Sequence, residues 1–212
     1  MLAQPSQVRP MVWPVIRRVA GDLRIHGDLT QMQIEVSGNL TVDGIIQGCN
    51  LKVGGHLKAQ GLLDSQLQVE GQLEAHYLRK CHFLVGGDLC VSAETSFCEG
   101  EVRGLALPGW VVESRLMCEG HLLAKGVITN RQGGSLLWAG YGQLVNESLP
   151  TMLVVLERLD AGTRLQVNRE GTTLRRPHPQ SAFCLIQGLL VRLPLPAAAE
   201  TTATPEPATP AR

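Results

Sequence analysis

The amino-acid sequence predicts an all-β protein, a parallel β-helix of about six to seven turns with a small C-terminal helix and β-hairpin module. Three observations point there. Residues 19–124 repeat with a period of 16 or 17. Each unit reads apolar-x-apolar-x-Gly, a polar residue, then apolar-x-apolar, as in Ile34-Glu35-Val36-Ser37-Gly38-Asn39-Leu40-Thr41-Val42. Small residues, Cys49, Ser65, Cys81, Cys98 and Ser114, recur two positions ahead of the units. Period-two alternation over so few residues is a strand with one buried face. A unit this short has no room for a packed helix. It suffices for one coil of two or three short strands, and coils stacked about 4.8 Å apart build parallel ladders around a shared core.

The elements follow in order. Residues 1–18 form an N-terminal segment; Met11 to Arg18 read as a cap over the first turn with Trp13 as its plug, and in a second reading as a weak membrane-touching stretch. A partial turn occupies residues 19–25. Full copies start at Ile34, Leu51, Leu67, Phe83 and Leu116, and a weaker one starts at Gly100, its second strand disturbed around Leu105, Leu107 and Pro108. These inward positions step by 17, 16, 16, 17 and 16, giving a rod on the order of 30 Å long. The corner glycines suit a bend that needs positive φ or leaves no room for Cβ. The small column suits a tight inner corner that a larger side chain would overpack.

After Asn130 the grid fades. Residues 136–145 read as an irregular last turn with Trp138 as an end plug, which closes the solenoid domain at 19–145. In residues 146–193 the spacing of Met152, Val155, Leu156 and Leu159 predicts a short amphipathic helix over 149–159, ended by Gly162 as a left-handed cap. Residues 163–167 and 172–175 read as a hairpin around Arg169-Glu170-Gly171, and residues 183–186 and 189–192 as a final strand pair turning at Gln187-Gly188. The Pro/Ala/Thr-rich residues 194–212 lack the apolar content to order themselves.

Outward positions carry the functional signal. Early turns place Glu35, Lys52, Gln68, Arg24, Thr41, Lys58 and Glu74 outside, whereas later ones place Leu84, Cys90, Met117 and Leu123 there. An exposed apolar column is a contact surface. It is expected either to be covered by residues 149–193 folding back over it or to bind another protein.

The chain has 212 residues, no net charge and few aromatics, so nothing draws it to nucleic acid. Its six cysteines follow the repeat grid as small buried hydrophobes, which points to a reducing cytoplasm. Cys49 and Cys81 fall two turns apart, too far for a bridge; Cys81 and Cys98 are neighbours, where a bridge is allowed but not required. No zinc spacing, phosphate loop, secretory signal or membrane-length apolar run is present, and no metal or cofactor is expected. The polar column Asp22, Asn39, His56, Gln72, Asp88 lacks the adjacent acids of a sugar-cleaving β-helix. His26 and Asp43 stack on neighbouring turns without a nucleophile column and read as a solvated pair. No catalytic residue is assigned.

The stretch from Gly71 to Val91, GQLEAHYLRKCHFLVGGDLCV, resembles the repeat core of the flagellar assembly protein A family, G-x-I-x-A-x-x-I-x-x-A-x-V-x-A-G-G-D-I-x-V. Ala161-Gly162-Thr163-Arg164-Leu165-Gln166-Val167 and Phe183-Cys184-Leu185-Ile186-Gln187-Gly188-Leu189-Leu190 resemble its closing module. The likeness covers most of residues 19–193, without the family's N-terminal domain. It implies a right-handed parallel β-helix in a cytoplasmic bacterial protein linked to polar flagellar assembly. A non-enzymatic scaffold for protein–protein contacts is therefore the leading expectation. The second is a bactofilin-like polymer that self-associates end to end, and the third a carbohydrate-active β-helix enzyme.

Overall fold

The structure is a computed structural model that describes residues 16–130, 134–141, 151–179, 182–186 and 189–193, and every regular element among them is a strand. Strands of one sheet stack in parallel from Ile16–Val19 through Gln33–Val36, Asn50–Val53, Gln66–Val69, His82–Val85, Glu99–Val102 and Arg115–Cys118. Those of a second sheet stack beside them from Leu23–Ile25 through Leu40–Gln47, Leu57–Leu63, Leu73–Arg79 and Leu89–Ser96 to Leu122–Ile128. Sequence neighbours never pair in this stretch; each strand pairs with its equivalent one coil away, in the register Ile34–Leu51–Leu67–Phe83–Gly100–Leu116 that the repeat predicts. The chain is a parallel β-solenoid of about seven turns through this stretch.

Each coil has three walls. The long second-sheet strands bend where the register slips, between Val42 and Ile45, Val91 and Glu94, and Ala124 and Gly126. Beyond the bend a third inward column runs Leu29, Ile46, Leu62, Leu78, Thr95, Val111, Val127 and Leu159, all buried. Thr95 is admitted because its hydroxyl donates to the Pro108 carbonyl at 2.8 Å. Each buried aliphatic side chain contributes roughly 1.5–3 kcal/mol before ordering entropy is charged.

The corners are built for stacking. Gly38, Gly55, Gly71, Gly87 and Gly104 each donate a backbone N–H to the glycine carbonyl one coil before, at 2.9–3.0 Å. A Cβ at Gly71 would sit 2.7 Å from the Gly55 oxygen, and one at Gly87 2.9 Å from the Gly71 oxygen. Lack of space therefore selects these glycines; in this column only Gly21, on the first turn, has positive φ (84°). Positive φ falls on a different column, Gln31, Gly48, Asp64, Lys80, Phe97 and Glu113, immediately ahead of the small corner residues.

Those small residues are buried, and each reaches back to its own turn. Ser65 Oγ donates to the Leu63 carbonyl (2.7 Å) and Ser114 Oγ to that of Val112 (2.8 Å), while the Cys49, Cys81 and Cys98 thiols meet the equivalent carbonyls at 3.2–3.3 Å. They also accept from the coil before: the Cys49 N–H donates to Ser65 Oγ (3.1 Å) and the Cys98 N–H to Ser114 Oγ (3.0 Å). Cys49, Cys81, Cys90, Cys98 and Cys118 are free thiols. Burial raises the Cys49 thiol and pushes Cys118 up to about 11, and the Cys81 sulfur together with burial raises Cys98 further.

The solenoid does not stop at residue 145. Leu136–Ala139 stacks on Arg115–Cys118, and Arg164–Val167 stacks on it in turn. The residues expected as a helix form the strand Leu153–Leu159, parallel to Leu122–Ile128. The free edge of that strand supplies a hydrogen-bonding ladder and the open axis receives Leu153, Val155 and Leu159, whereas a lone 11-residue helix has a costly nucleus and nothing to pack on. Gly162 keeps the expected positive φ (84°), in a turn between strands rather than at a helix end. Antiparallel strands then close this end: Glu170–Thr173 on Arg164–Val167, and Ala182–Ile186 with Leu189–Leu193 on Leu153–Leu159. The C-terminal segment thus lengthens the rod instead of folding over its flank. Trp13 and residues 194–212 lie outside the described residues.

Leu57→Asp or Leu73→Asp strands a carboxylate on the axis and should cost about 5 kcal/mol or more, abolishing the cooperative melt; Glu74→Ala, at an exposed ion pair, should cost under about 1 kcal/mol. Circular dichroism melts of the three variants check the inward assignment. Cys49, Cys81, Cys98 and Cys118 should resist iodoacetamide at neutral pH in the folded protein and react in urea. Peptide mass spectrometry reads this, and native alkylation of any of the four would contradict the packed corners.

Candidate interaction faces

Alternation fixes which side chains leave the rod, and stacking fixes their neighbours. On the first sheet the outward column runs Arg18, Glu35, Lys52, Gln68, Leu84, Glu101, Met117, Trp138, Gln166. Leu84 and Met117 are half-buried and separated by Glu101. They flank a shallow groove of about 530 Å³ over Gly100. Gly100 sits on the core column because the Phe83 ring occupies the space its Cβ would need.

Trp138 lies on this flank, not over an end. Its indole N–H donates to the Asn168 carbonyl at 2.8 Å and its ring meets Tyr141 edge-on at 4.7 Å. The strand Arg164–Val167 continues the sheet past it, so its place is that of an ordinary outward residue.

On the second sheet the outward column begins polar and ends apolar. Arg24, Thr41, Lys58 and Glu74 come first, then Cys90 and Leu107. Pairing of Ala106 with Leu122 brings Leu107 beside Leu123, which lies beside Val154. Three exposed side chains border this upper half: Leu105 (37% exposed) and Met152 (43%) at the corner, and Leu156 (39%) past Val155; Leu123 itself is 36% exposed. A groove of about 480 Å³ lined by Glu74, His76, Cys90, Ser92 and Leu107 marks the change from polar to apolar. The four residues expected as one apolar column therefore divide: Cys90 and Leu123 share this wall, while Leu84 and Met117 are on another. Sequence reading missed Leu107, Met152 and Leu156, taking the first for a disturbed strand and the last two for a helix.

The polar lower half is a set of ladders. Lys58 Nζ meets Glu74 Oε1 at 2.6 Å. Arg24 grips Asp43 through two nitrogens at 3.0–3.4 Å, and His26 Nδ1 approaches the same carboxylate at 2.7 Å. The Arg24 hydrogen bonds first, and the His26 contact second, hold the Asp43 carboxyl below its ordinary value. Two turns on, His76 Nδ1 meets Ser92 Oγ at 2.7 Å. Asp43 and His76 are separated by the turn carrying Gln60, roughly 9.6 Å at two ladder steps, so acid, base and hydroxyl are not assembled.

The column after the corner glycine has a structural role. Asp22 accepts the Asn39 N–H (2.7 Å), Asn39 Oδ1 that of His56 (2.8 Å), His56 Nδ1 that of Gln72 (2.9 Å) and Asp88 that of Leu105 (2.7 Å). Each side chain satisfies a backbone donor one coil further on. An open concavity of about 1120 Å³ at the C-terminal end is bordered by Thr129, Asn130, Thr172, Thr173 and Arg175. The Thr129 hydroxyl there is engaged with Ser135 (2.8 Å) and Thr163 (3.1 Å). Among the described residues no group of three or more His, Cys, Asp or Glu is placed to hold a metal ion, and no helix is long and apolar enough to cross a membrane.

Residues 18–134 match the family model of the flagellar assembly protein A beta solenoid domain. No curated protein and no solved structure matches the chain. The matched residues are the coils whose register, corner glycines and three-walled core are described above, and the chain belongs to the flagellar assembly protein A family.

Proposed function

We propose that this chain is a non-enzymatic scaffold of polar flagellar assembly, acting in the bacterial cytoplasm, where its free thiols stay reduced. The apolar upper half of the second wall is its contact surface for another protein. One observation carries this reading: Cys90, Leu107, Leu123 and Val154 stack on consecutive coils, with Leu105, Met152 and Leu156 exposed around them. Monomeric proteins seldom leave contiguous apolar surface without a binding role. The backbone of this wall is held by ladders on both sides, so a partner meets a preformed surface and little ordering entropy is lost on contact. The polar half below it limits orientation, since a partner sliding down would bury Lys58 and Glu74.

Leu107→Lys with Leu123→Lys changes only outward residues. Cells carrying this double variant should swim no further in soft agar than cells lacking the gene. The protein should accumulate and melt as the wild type does. Lys58→Ala should leave swimming intact. Normal motility of the gene deletion would remove the flagellar role. Normal motility of the double variant alone would move the contact surface elsewhere.

A further inference from the structure

The first-sheet column that faces the axis consists of Ile34, Leu51, Leu67, Phe83, Gly100, Leu116, Leu137 and Leu165, and its first member is Arg17. Arg17 pairs with Ile34 in the ladder, so alternation directs it to the core side, yet it is exposed. Its neighbour Arg18 points outward and meets Glu35 at 3.0 Å. Among the described residues nothing pairs with the Arg17 guanidinium.

The rest of that level is adhesive. Ile16–Val19, Leu23–Ile25 and Leu29–Thr30 each have a sheet neighbour on one side among the described residues. Val19, Leu23 and Ile25 are half-buried, while Val36, Leu40 and Val42 one coil above are at most 2% exposed. Strand edges with one described neighbour, beside apolar side chains that are only half-buried, are a template for a second chain.

We infer that Arg17 is a stop residue: it keeps the N-terminal end of the rod from docking on a second copy of this chain. Docking would carry the guanidinium onto the apolar axis, where an unpaired charge is strongly disfavoured. Head-to-head docking would also bring two Arg17 side chains together across the joint. An inward-pointing charge on an edge strand is a known way to prevent such pairing. The end-to-end polymer suggested by the repeats is then blocked at this level.

Sedimentation velocity on the full chain tests this, with Arg17→Ile and Arg17→Lys measured from the low to the high micromolar range. The wild type and Arg17→Lys should sediment as one monomeric species throughout. Arg17→Ile, which places an aliphatic side chain on the column, should shift with concentration to dimers or longer rods while keeping the β-type circular dichroism and melting no earlier than the wild type. The inference is overturned if the wild type already associates through this end. It is equally overturned if Arg17→Lys associates as Arg17→Ile does, or if folded Arg17→Ile stays monomeric over the range.

Discussion

Stacking at strand spacing is the constraint from which the rest of this structure follows. Once each strand pairs with its equivalent 16 or 17 residues away, any residue meets its own counterparts about 4.8 Å above and below. A position is then occupied only by side chains that tolerate their own kind as neighbours. Leucine, isoleucine and valine do, and with alanine they make up most of the inward positions of the three walls. At the corners the backbones approach until a Cβ would strike the carbonyl of the coil before, and glycine fills that column. Where the chain turns and leaves a backbone donor unpaired, Asp22, Asn39, His56 and Asp88 each supply an acceptor to the coil that follows.

Departures from a column come in matched pairs for the same reason. Phe83 is too large for its level and lies over Gly100; the Tyr77 ring covers Gly61, and the Trp110 ring covers Gly126. Thr95 interrupts an aliphatic column and finds the Pro108 carbonyl. In each case the volume or polarity added on one coil is compensated on its neighbour, as close packing and low local dielectric require. The turn around Leu105 to Pro108, which looks degenerate as sequence, keeps its place because Ala106–Leu107 and Trp110–Val112 each retain a partner.

Two of the three walls were legible from the period alone, since the Leu, Val and Gly positions recur in phase. The third was not, because coils differ by one residue across the bend. Ile46 and Thr95 keep the phase of their strands, whereas Leu62 and Leu78 fall out of step with Leu57 and Leu73. The residues now in Leu153–Leu159 carry a helical spacing as readily as a strand's. What selects the strand is the edge of Leu122–Ile128, a partner distant in sequence. Leu84, Cys90, Met117 and Leu123 were all legible as outward. That they belong to two walls was not, because alternation tells inside from outside and is silent on which side of the corner a residue emerges.

With Arg17 proposed to keep the first level of the rod from docking, the flanks carry the contact surface of this reading. Those flanks are unequal along the axis. The second wall carries ion-paired side chains over its first coils, Arg24 with Asp43 and Lys58 with Glu74, and aliphatic ones from Cys90 onward. Exposed pairs of that kind contribute little to stability, so their value is in keeping the lower wall soluble and unattractive to apolar surfaces. The apolar half sits where Leu153–Leu159 and the closing strands extend the sheet, which holds it rigid. A β-solenoid grows by repeating one coil, and a uniform rod would look the same to a partner at every level. On the proposed reading, the change from charged to apolar at Cys90 removes that ambiguity and sets one height along the rod for an apolar partner.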